Sequence, residues 1–234
     1  MPTTLCQTVG VGYPDSMCGR YVRKGQPKKV AEILGVQDGE KHWTESFNVA
    51  PSSMIPIVTA DPVGRHLVPA IWGFISTGRA PLFNARGETV DTLQSFRDSF
   101  RQIRCLVPAS GFYEWRPSDR QPFYFERLDG QLLAFAGIWK RVGNHREATV
   151  ITTTPNTDMQ GIHDRMPVIL EPGSWNTWLA PDPLTDAQRQ MLLTPSPDHT
   201  LSRWPVGRKV GSVGNDSPAL LDRVEEQGFT PELF

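Results

Sequence analysis

Residues 122–139 read PFYFERLDGQLLAFAGIW, and this stretch decides the fold class. Two runs rich in aromatic and aliphatic residues, 122–128 and 131–139, flank the dipeptide formed by Asp129 and Gly130. Asp-Gly between two such runs is a strong hairpin signal, because Gly accepts the positive φ that a tight turn requires. The stretch therefore predicts two antiparallel strands joined by a two-residue turn.

Further short strands and a few short helices surround this predicted hairpin. Segments rich in branched and aromatic residues predict the strands, which are 54–59, 66–74, 104–107, 112–115 and 148–153. Apolar periodicity and stop signals predict the helices, which are 27–34, 91–100, 175–179 and 185–193. Asp91 is the expected N-cap of the second helix. Strands and helices do not alternate regularly, which argues against a doubly wound parallel sheet.

The expected fold class is therefore α+β. We expect a single domain at 17–234 with a curled, largely antiparallel β core, open and barrel-like, flanked by short helices. It follows an N-terminal extension at 1–16, which has neither the basic region nor the apolar stretch of a secretory signal. No apolar run is long enough to span a bilayer. These features predict a cytoplasmic monomer without membrane contact.

Composition and charge restrict the function classes. The chain has 234 residues, 38% of them hydrophobic and 21% charged, which is typical of a globular protein with a real core. The formal net charge is −1, so the protein has no global basic field. A nucleic-acid partner would therefore need a local cluster of arginines.

The cysteines exclude two structural roles. Cys6, Cys18 and Cys105 are the three cysteines of the chain, too few for a disulfide framework, and their odd number favours a reducing compartment. None has the spacing to a second Cys or to a His that zinc sites use. We expect no metal and no cofactor.

Cys18 follows Met17, which could itself be a start residue. If the chain began at Met17 and that residue were trimmed, Cys18 would carry a free α-amine beside its thiol. Such a 1,2-aminothiol condenses with an aldehyde to an imine and then closes to a stable thiazolidine. Both groups titrate near pH 8, so each has a reactive fraction at neutral pH. The simpler interpretation is a buried structural cysteine.

Glu114 lies in an aromatic strand. On a strand, Phe112, Glu114 and Arg116 share one face, while Tyr113 and Trp115 share the other. Glu114 could therefore face solvent beside Arg116. Alternatively, burial against aromatic rings would raise its pKa, so that the carboxyl group could transfer a proton near neutrality.

Two further segments combine polar groups that suit an anionic substrate. His163 and Arg165 stand in a loop before a proline, where Arg could hold phosphate and His could manage a proton. Asn84 and Arg86 are two residues apart, so they face the same side of an extended segment. Each segment also has an ordinary structural explanation, as a loop histidine or an Asn-initiated turn.

These segments together resemble the SOS response-associated peptidase (SRAP) family, the abasic-site processing proteins. The resemblance runs in order through most of the chain. It rests on MCGRY at 17–21, NVAP at 48–51, NARGET at 84–89, GFYEW at 111–115 and IHDRMP at 162–167, and the tail from Val210 also matches. It implies an α+β fold with a basic cleft.

The resemblance implies a protein that crosslinks, through N-terminal Cys18, to abasic sites in single-stranded DNA, and that associates with the nucleoid on damaged DNA. Cysteine-dependent self-processing and lyase-type activity are implied as well. Cys18 would be the nucleophile, and Asn84 would position the α-amine and the open-chain sugar. Glu114 would be the general acid and base, and His163 would assist ring opening and crosslink reversal.

The resemblance also implies the residues that contact DNA. Arg20, Arg86 and Arg165 would bind the flanking phosphates, and Thr152 would line the pocket. One departure stands out: the segment after Trp72 and Gly73 is predicted to be a short loop without an aromatic wedge, which leaves stacking beside the lesion open.

The extension leaves alternatives open, because with residues 1–16 attached Cys18 has no free amine. Either the chain starts at Met17, which we favour, or the leader is removed by the protein itself using Cys18, Glu114 and His163. Two other function classes remain: a cysteine peptidase that acts on protein substrates, and a non-covalent single-stranded-DNA-binding module.

Overall fold

The computed structural model describes residues 18–226, so the expected extension at 1–16 lies outside the described residues. The strands are β1 Arg20–Arg23, β2 Ser46–Val49, β3 Met54–Asp61, β4 Gly64–Trp72, β5 Phe74–Ser76, β6 Arg79–Leu82, β7 Asn84–Arg86, β8 Arg104–Ala109, β9 Gly111–Trp115, β10 Pro122–Arg127, β11 Leu133–Val142, β12 His145–Thr153, β13 Met166–Pro167 and β14 Leu201–Pro205. The α-helices are α1 Pro27–Leu34, α2 Arg97–Gln102, α3 Trp175–Leu179 and α4 Asp186–Leu192.

A closed barrel forms the centre of the fold. Its strands follow the order β11-β8-β3-β4-β12, and β12 pairs with β11 to complete the ring. All of these pairings are antiparallel except that of β12 with β4. β7 and β13 extend the barrel sheet beside the distal half of β12. The predicted curled, largely antiparallel core is confirmed.

A second sheet, in the order β14-β10-β9-β1-β2, packs against the barrel through aromatic side chains. Phe112 of β9 stacks on Phe125 of β10, with ring centroids 5.0 Å apart, and it meets Phe135 of β11 edge to face at 6.0 Å. Tyr21 of β1 contacts Phe135 in the same way. These contacts fix β1 and β9, the strands that flank the candidate site, against the rigid barrel.

The predicted hairpin across Asp129 and Gly130 is wrong in its pairing. β10 pairs with β9 and β14 in the second sheet, whereas β11 pairs with β8 and β12 in the barrel. Gly130 does adopt the predicted positive φ, 70°. The turn therefore passes the chain from one sheet to the other, because each strand finds its partners far away in sequence. β11 instead forms a hairpin with the strand that follows it, β12, around Gly143.

Two predicted helices, α1 and α4, are observed close to their predicted bounds, and each has a terminal residue that explains where it stops or starts. α1 ends at Gly35 in the left-handed conformation, and α4 begins with a capping box formed by Thr185 and Gln188. The predicted helix 91–100 is wrong at its start: α2 begins only at Arg97, after turns, and Asp91 does not cap it. The Asp91 carboxylate instead pairs with Arg189 of α4.

The segment after Trp72 is a hairpin rather than the predicted loop. β5 and β6 pair with each other, and Gly78 takes a φ of 72° in the turn between them. Across residues 18–226, no helix is both long and apolar enough to cross a membrane.

Candidate active site

Cys18 and Glu114 meet because β1 and β9 pair in a fixed register. Arg20 lies opposite Tyr113 in this antiparallel pair, so the residue opposite Gly19 is Glu114. Cys18 lies two residues before the start of β1 and takes a φ of 45°. A left-handed conformation costs a residue with a Cβ about 1–2 kcal/mol, and here it directs the Cys18 nitrogen towards the carboxyl group.

The Cys18 backbone N–H donates a hydrogen bond to Glu114 Oε1 at 2.6 Å. Glu114 is 1% exposed and Cys18 is 5% exposed, so this contact is shielded from water. The strand alternation predicted for β9 holds. Phe112 belongs to the main apolar cluster, whereas Tyr113 belongs to a separate cluster on the other face. Glu114 shares the interior face with Phe112.

Burial shifts both titratable groups of this pair. It raises the pKa of the Glu114 carboxyl group to about 8, although hydrogen bonds from the thiol and backbone of Cys18 oppose the shift. Burial, followed by the negative charge of Glu114, raises the pKa of the Cys18 thiol well above its usual value. The thiol is therefore protonated at neutral pH and donates to the Glu114 carboxyl group, which thus contacts both heteroatoms of the cysteine.

Gly111, at the start of β9, is required by a close approach of the neighbouring strand. A Cβ at this position would lie within 3.0 Å of Tyr124 Oη and of the Phe125 carbonyl oxygen. Only glycine lets β9 approach β10 this closely. The Gly of the GFYEW segment thus sets the position of Glu114.

His163 lies in the loop between a 3₁₀ turn, Thr157–Met159, and β13. Its neighbours Asp164 and Arg165 both act electrostatically on the Cys18 thiol, which places this loop beside the cysteine. Burial lowers the pKa of the His163 imidazole, and Asp164 opposes the shift. The ring is therefore neutral at physiological pH.

The hydrogen bonds of His163 select one tautomer. The Arg165 backbone N–H donates to Nδ1 at 3.1 Å, and the Asp164 carboxylate lies 3.1 Å from the same nitrogen. Donation to Asp164 would require a proton on Nδ1, which could then not accept from Arg165, and the Asp164 carboxylate is 90% exposed and solvated without it. In the neutral ring Nδ1 accepts from Arg165, and the proton resides on Nε2.

Asn84, Arg86 and Thr152 are brought together by β7 and β12. These strands pair in parallel, with Asn84 opposite Val150 and Arg86 opposite Thr152. Asn84 is half-buried, Arg86 is exposed and Thr152 is fully buried. Asn84 and Arg86 share one side of β7, as predicted from their spacing.

The Arg165 side chain lies across the end of β12. Its Nη1 and Nη2 donate to the two carboxylate oxygens of Glu88 at 2.5 and 2.8 Å, and Nη2 also donates to the Thr152 carbonyl oxygen at 2.7 Å. The Gly87 N–H donates to that same carbonyl at 2.8 Å. Arg165 thus links the His163 loop to β12 and to the turn after β7.

Arg20 projects from β1 into a separate polar cluster. Its guanidinium group donates to Asn48 Oδ1 at 3.4 Å and to the Gly211 carbonyl oxygen at 3.3 Å. Burial lowers the pKa of Arg20. The Asn48 amide, itself 5% exposed, donates to the carbonyl oxygens of Val210 and Asn215. Asn48 therefore holds both Arg20 and the tail segment 208–216 in place.

Two side chains of this region received no role from the sequence. Glu88 and Asn48 both lie in the quoted segments NARGET and NVAP, so the segments indicated them, but nothing in their spacing indicates a partner. Among residues 18–226, no group of three or more His, Cys, Asp or Glu side chains could hold a metal ion. The titratable groups of the candidate site are a cysteine, a buried acid and a neutral imidazole.

This arrangement can serve a cysteine-based condensation. A protonated carboxyl group with a pKa near neutrality can donate a proton and take it back. The Glu114 carboxyl group contacts both the nitrogen and the sulfur of Cys18. Because His163 accepts through Nδ1, its Nε2–H can donate to a substrate.

Comparison with known proteins gives a consistent result. The sequence model of the SOS response associated peptidase (SRAP) family matches residues 17–213. The abasic site processing protein YoqW of Bacillus subtilis is 34% identical over 224 residues, covering 88% of this chain and 99% of that protein. The abasic site processing protein YedK of Escherichia coli is 27% identical, covering 89% of this chain and 100% of that protein.

A solved structure shares the fold. The crystal structure of a protein from Bacteroides thetaiotaomicron superposes with a TM-score of 0.76 at 25% identity, covering 89% of this chain and 100% of that chain.

Proposed function

Because this chain belongs to the SOS response associated peptidase family, we propose that it processes abasic sites in DNA by forming a covalent crosslink through Cys18. The observation that carries the proposal is the 2.6 Å contact between the Cys18 nitrogen and Glu114 Oε1, two buried residues. Relatives named as abasic site processing proteins support the choice of substrate. We further propose that the DNA is single-stranded around the lesion.

The proposed reaction uses the open-chain aldehyde of an abasic sugar. The neutral α-amine of Cys18 attacks the aldehyde carbon and forms a carbinolamine, which loses one water to give an imine. The thiol sulfur then adds to the imine carbon, and its proton passes to nitrogen. The product is a thiazolidine, and the net change is the loss of one water. No external oxidant or reductant is required.

Glu114 suits both proton transfers in this sequence. Its carboxyl pKa of about 8 lies close to that of a free α-amine, which is about 7.7–8.0. The carboxylate takes a proton from the ammonium group and returns it to the departing water as general acid. Before the amine attacks, the sugar ring must open, and in that step His163 offers Nε2–H to the sugar oxygen.

The surrounding polar residues would hold the strand. Arg86 is exposed beside the site and can bind a phosphate, while Asn84 on the same side can orient the sugar. Arg20 and Arg165 would add positive charge, and Thr152 would line the pocket. Phosphate contacts of this kind give affinity without base specificity.

The reaction requires that Cys18 be the first residue, so the test uses protein expressed from Met17. Mass spectrometry first verifies that Met17 has been removed. The protein is then incubated with a single-stranded oligonucleotide that carries one abasic site, and adducts are resolved on a denaturing gel. We expect an adduct that survives denaturation with wild type and with Cys105→Ala, which removes a buried cysteine outside the site.

Cys18→Ser separates the two chemical steps. The serine variant keeps the amine, so we expect an imine that borohydride traps but that hydrolyses without it. A borohydride-reduced abasic site, which lacks the aldehyde, should give no adduct with any variant. Equal affinity for intact and abasic strands without any covalent product would instead indicate a non-covalent binding module.

Self-removal of the leader is a second candidate activity, favoured by the left-handed φ of Cys18 at the bond that would be cleaved. The thiol of Cys18 would attack the Met17 carbonyl carbon and displace the Cys18 nitrogen, which takes up the thiol proton and leaves as the free α-amine. Water would then hydrolyse the resulting thioester, releasing the leader as a carboxylic acid and restoring the thiol. The intact mass of the 234-residue chain, compared with that of Cys18→Ala, decides this activity. An unchanged mass in both chains rules it out.

A further inference from the structure

We propose that Glu88 is a positioning residue that holds the His163 imidazole in place for the reaction at Cys18, acting through the guanidinium group of Arg165. The inference rests on the proposed function for its role in a reaction, but its structural part stands on the contacts of the described residues alone. Glu88 would touch neither the DNA nor the reacting atoms.

The first step is the pairing of Glu88 with Arg165. Two parallel hydrogen bonds of 2.5 and 2.8 Å join the carboxylate to the guanidinium group, which is the geometry that gives such pairs both strength and direction. The Arg165 side chain is 10% exposed and the Glu88 side chain is 48% exposed. The pair therefore has one end in the protein interior and the other at the surface.

The second step fixes the guanidinium group against the barrel. Nη2 of Arg165 donates to the Thr152 carbonyl oxygen at 2.7 Å, and the Gly87 N–H donates to the same oxygen at 2.8 Å. Thr152 lies at the end of β12, which pairs with β11 and β4 in the closed ring. Glu88 and Thr152 thus anchor Arg165 to an element that has little freedom to move.

The third step carries this anchoring to the imidazole. The backbone N–H of Arg165 donates to His163 Nδ1 at 3.1 Å, so the position of Arg165 sets both the orientation and the tautomer of the ring. The loop is otherwise held at its two ends, by buried Ile162 and Met166, so Arg165 supplies the restraint next to the ring. Without Glu88, a buried guanidinium group would lose its counterion and draw the loop towards solvent or towards Glu114.

Glu88→Ala and Glu88→Gln test the proposal, with Glu171→Gln as matched control. Glu171 is 49% exposed and binds Arg127 at 2.7 Å, so it has the same chemistry at nearly the same exposure, away from Cys18. Glu88→Gln keeps the shape and one acceptor oxygen, so it should fold even if the alanine variant does not. Thermal unfolding of each variant verifies the folded state.

The first readout is independent of crosslinking. Long-range ¹H–¹⁵N spectra of the uniformly labelled 234-residue chain report the tautomer of each imidazole, and the His163 signals are assigned by their loss in His163→Gln. We expect wild type and Glu171→Gln to show one tautomer with an unprotonated Nδ1. Glu88→Ala should show the two nitrogen shifts moving towards each other as the tautomers mix, and Glu88→Gln should show the same change to a smaller extent.

The second readout is the rate of adduct formation at saturating abasic oligonucleotide, using Met17-start protein. A misplaced catalytic group costs on the order of 10- to 100-fold, so we expect a loss in that range for Glu88→Ala and a smaller one for Glu88→Gln. Affinity for a tetrahydrofuran abasic analogue, which lacks the aldehyde, should stay at the wild-type value, as should all properties of Glu171→Gln.

Three results would overturn the proposal. The first is wild-type imidazole signals in both Glu88 variants. The second is a wild-type rate of adduct formation despite altered imidazole signals. The third is a loss of DNA affinity whose dependence on salt concentration falls by about one in slope, because that change indicates a lost phosphate contact. If wild type itself forms no adduct, the proposed function fails, while the imidazole spectra still decide whether Glu88 positions His163.

Discussion

Cys18 and Glu114 are 96 residues apart in the chain, yet the nitrogen of one lies 2.6 Å from a carboxylate oxygen of the other. The contact follows from the pairing of β1 with β9, and both residues are buried. A carboxyl group in this position cannot be solvated by water when it ionises. Its protonation is therefore coupled to folding.

Glu114→Gln should change how stability depends on pH. The folded protein keeps the Glu114 proton up to pH about 8, whereas the unfolded chain loses it near the usual pKa of 4.5. Because the folded state binds more protons between these values, wild-type stability falls as pH rises through this interval. The glutamine variant has no proton to lose, so its free energy of unfolding should not fall in this way. Urea unfolding should therefore show the difference in stability between Glu114→Gln and wild type growing in favour of the variant from pH 5 to pH 8. Parallel profiles for the two proteins would contradict the assignment.

The same substitution should slow adduct formation at abasic sites. Glutamine keeps an acceptor for the Cys18 nitrogen but cannot exchange a proton, and general acid–base catalysis contributes roughly 10²- to 10⁴-fold. Single-turnover rates at saturating oligonucleotide measure the effect. An unchanged rate would mean that the proton is transferred by another group.

Gly111→Ala should destabilise the second sheet. The added methyl group would overlap Tyr124 Oη and the Phe125 carbonyl oxygen, and a strand backbone cannot retreat without breaking its pairing. Overpacking of this kind costs about 1–3 kcal/mol, which chemical denaturation would detect. Gly207→Ala is the control, because no atom lies within 4 Å of the added carbon there. Similar losses in both variants would show that the overlap at Gly111 is not the cause.

Arg141→Glu should stabilise the hairpin of β11 and β12. Arg141 stands directly opposite Arg146, and its charge helps burial to lower the pKa of Arg146. Like charges at this position repel, and a favourable cross-strand pair contributes roughly 0.2–1 kcal/mol. Thermal melts should give the order Arg141→Glu, then Arg141→Gln, then wild type. A glutamate variant no more stable than glutamine would show that the charges do not interact.

Asn48→Ala should loosen the segment 208–216. The Asn48 amide donates to the carbonyl oxygens of Val210, Ser212 and Asn215 from a buried position. Loss of these partners costs about 1–3 kcal/mol and leaves buried acceptors unsatisfied. Hydrogen exchange should accelerate across 208–216 but not in the barrel. Asn176→Ala, which removes an exposed amide bound to Arg65, should leave exchange in that segment unchanged.

The sequence predicts those features of this fold that depend on local signals. Gly35 ends α1 where expected, and the alternation of Phe112 and Tyr113 between the two faces of β9 follows from strand geometry alone. The chain does turn near the predicted place, but the turn is centred on Leu128 and Asp129, and the Gly130 N–H closes it by donating to the Arg127 carbonyl oxygen. The flanking strands nonetheless separate, because pairing partners are chosen by burial across the whole fold rather than by the turn between them.

The sequence likewise indicates some features of the candidate site and not others. A buried acid at Glu114 and a shared side for Asn84 and Arg86 could be inferred from residue types and spacing. The Glu88–Arg165 pair could not, because it joins turns 77 residues apart, and neither turn carries a periodic pattern. Long-range ion pairs leave no trace in a single sequence.

β1 begins two residues after Cys18. It lies inside its sheet, between β9 and β2. The cysteine thus reaches its acid only when the beginning of the chain has been clamped between segments made much later in synthesis. A nascent or unfolded chain would present an ordinary thiol, with no carboxyl group at its side. Proton transfer between Glu114 and this cysteine therefore becomes available only once the sheet is complete.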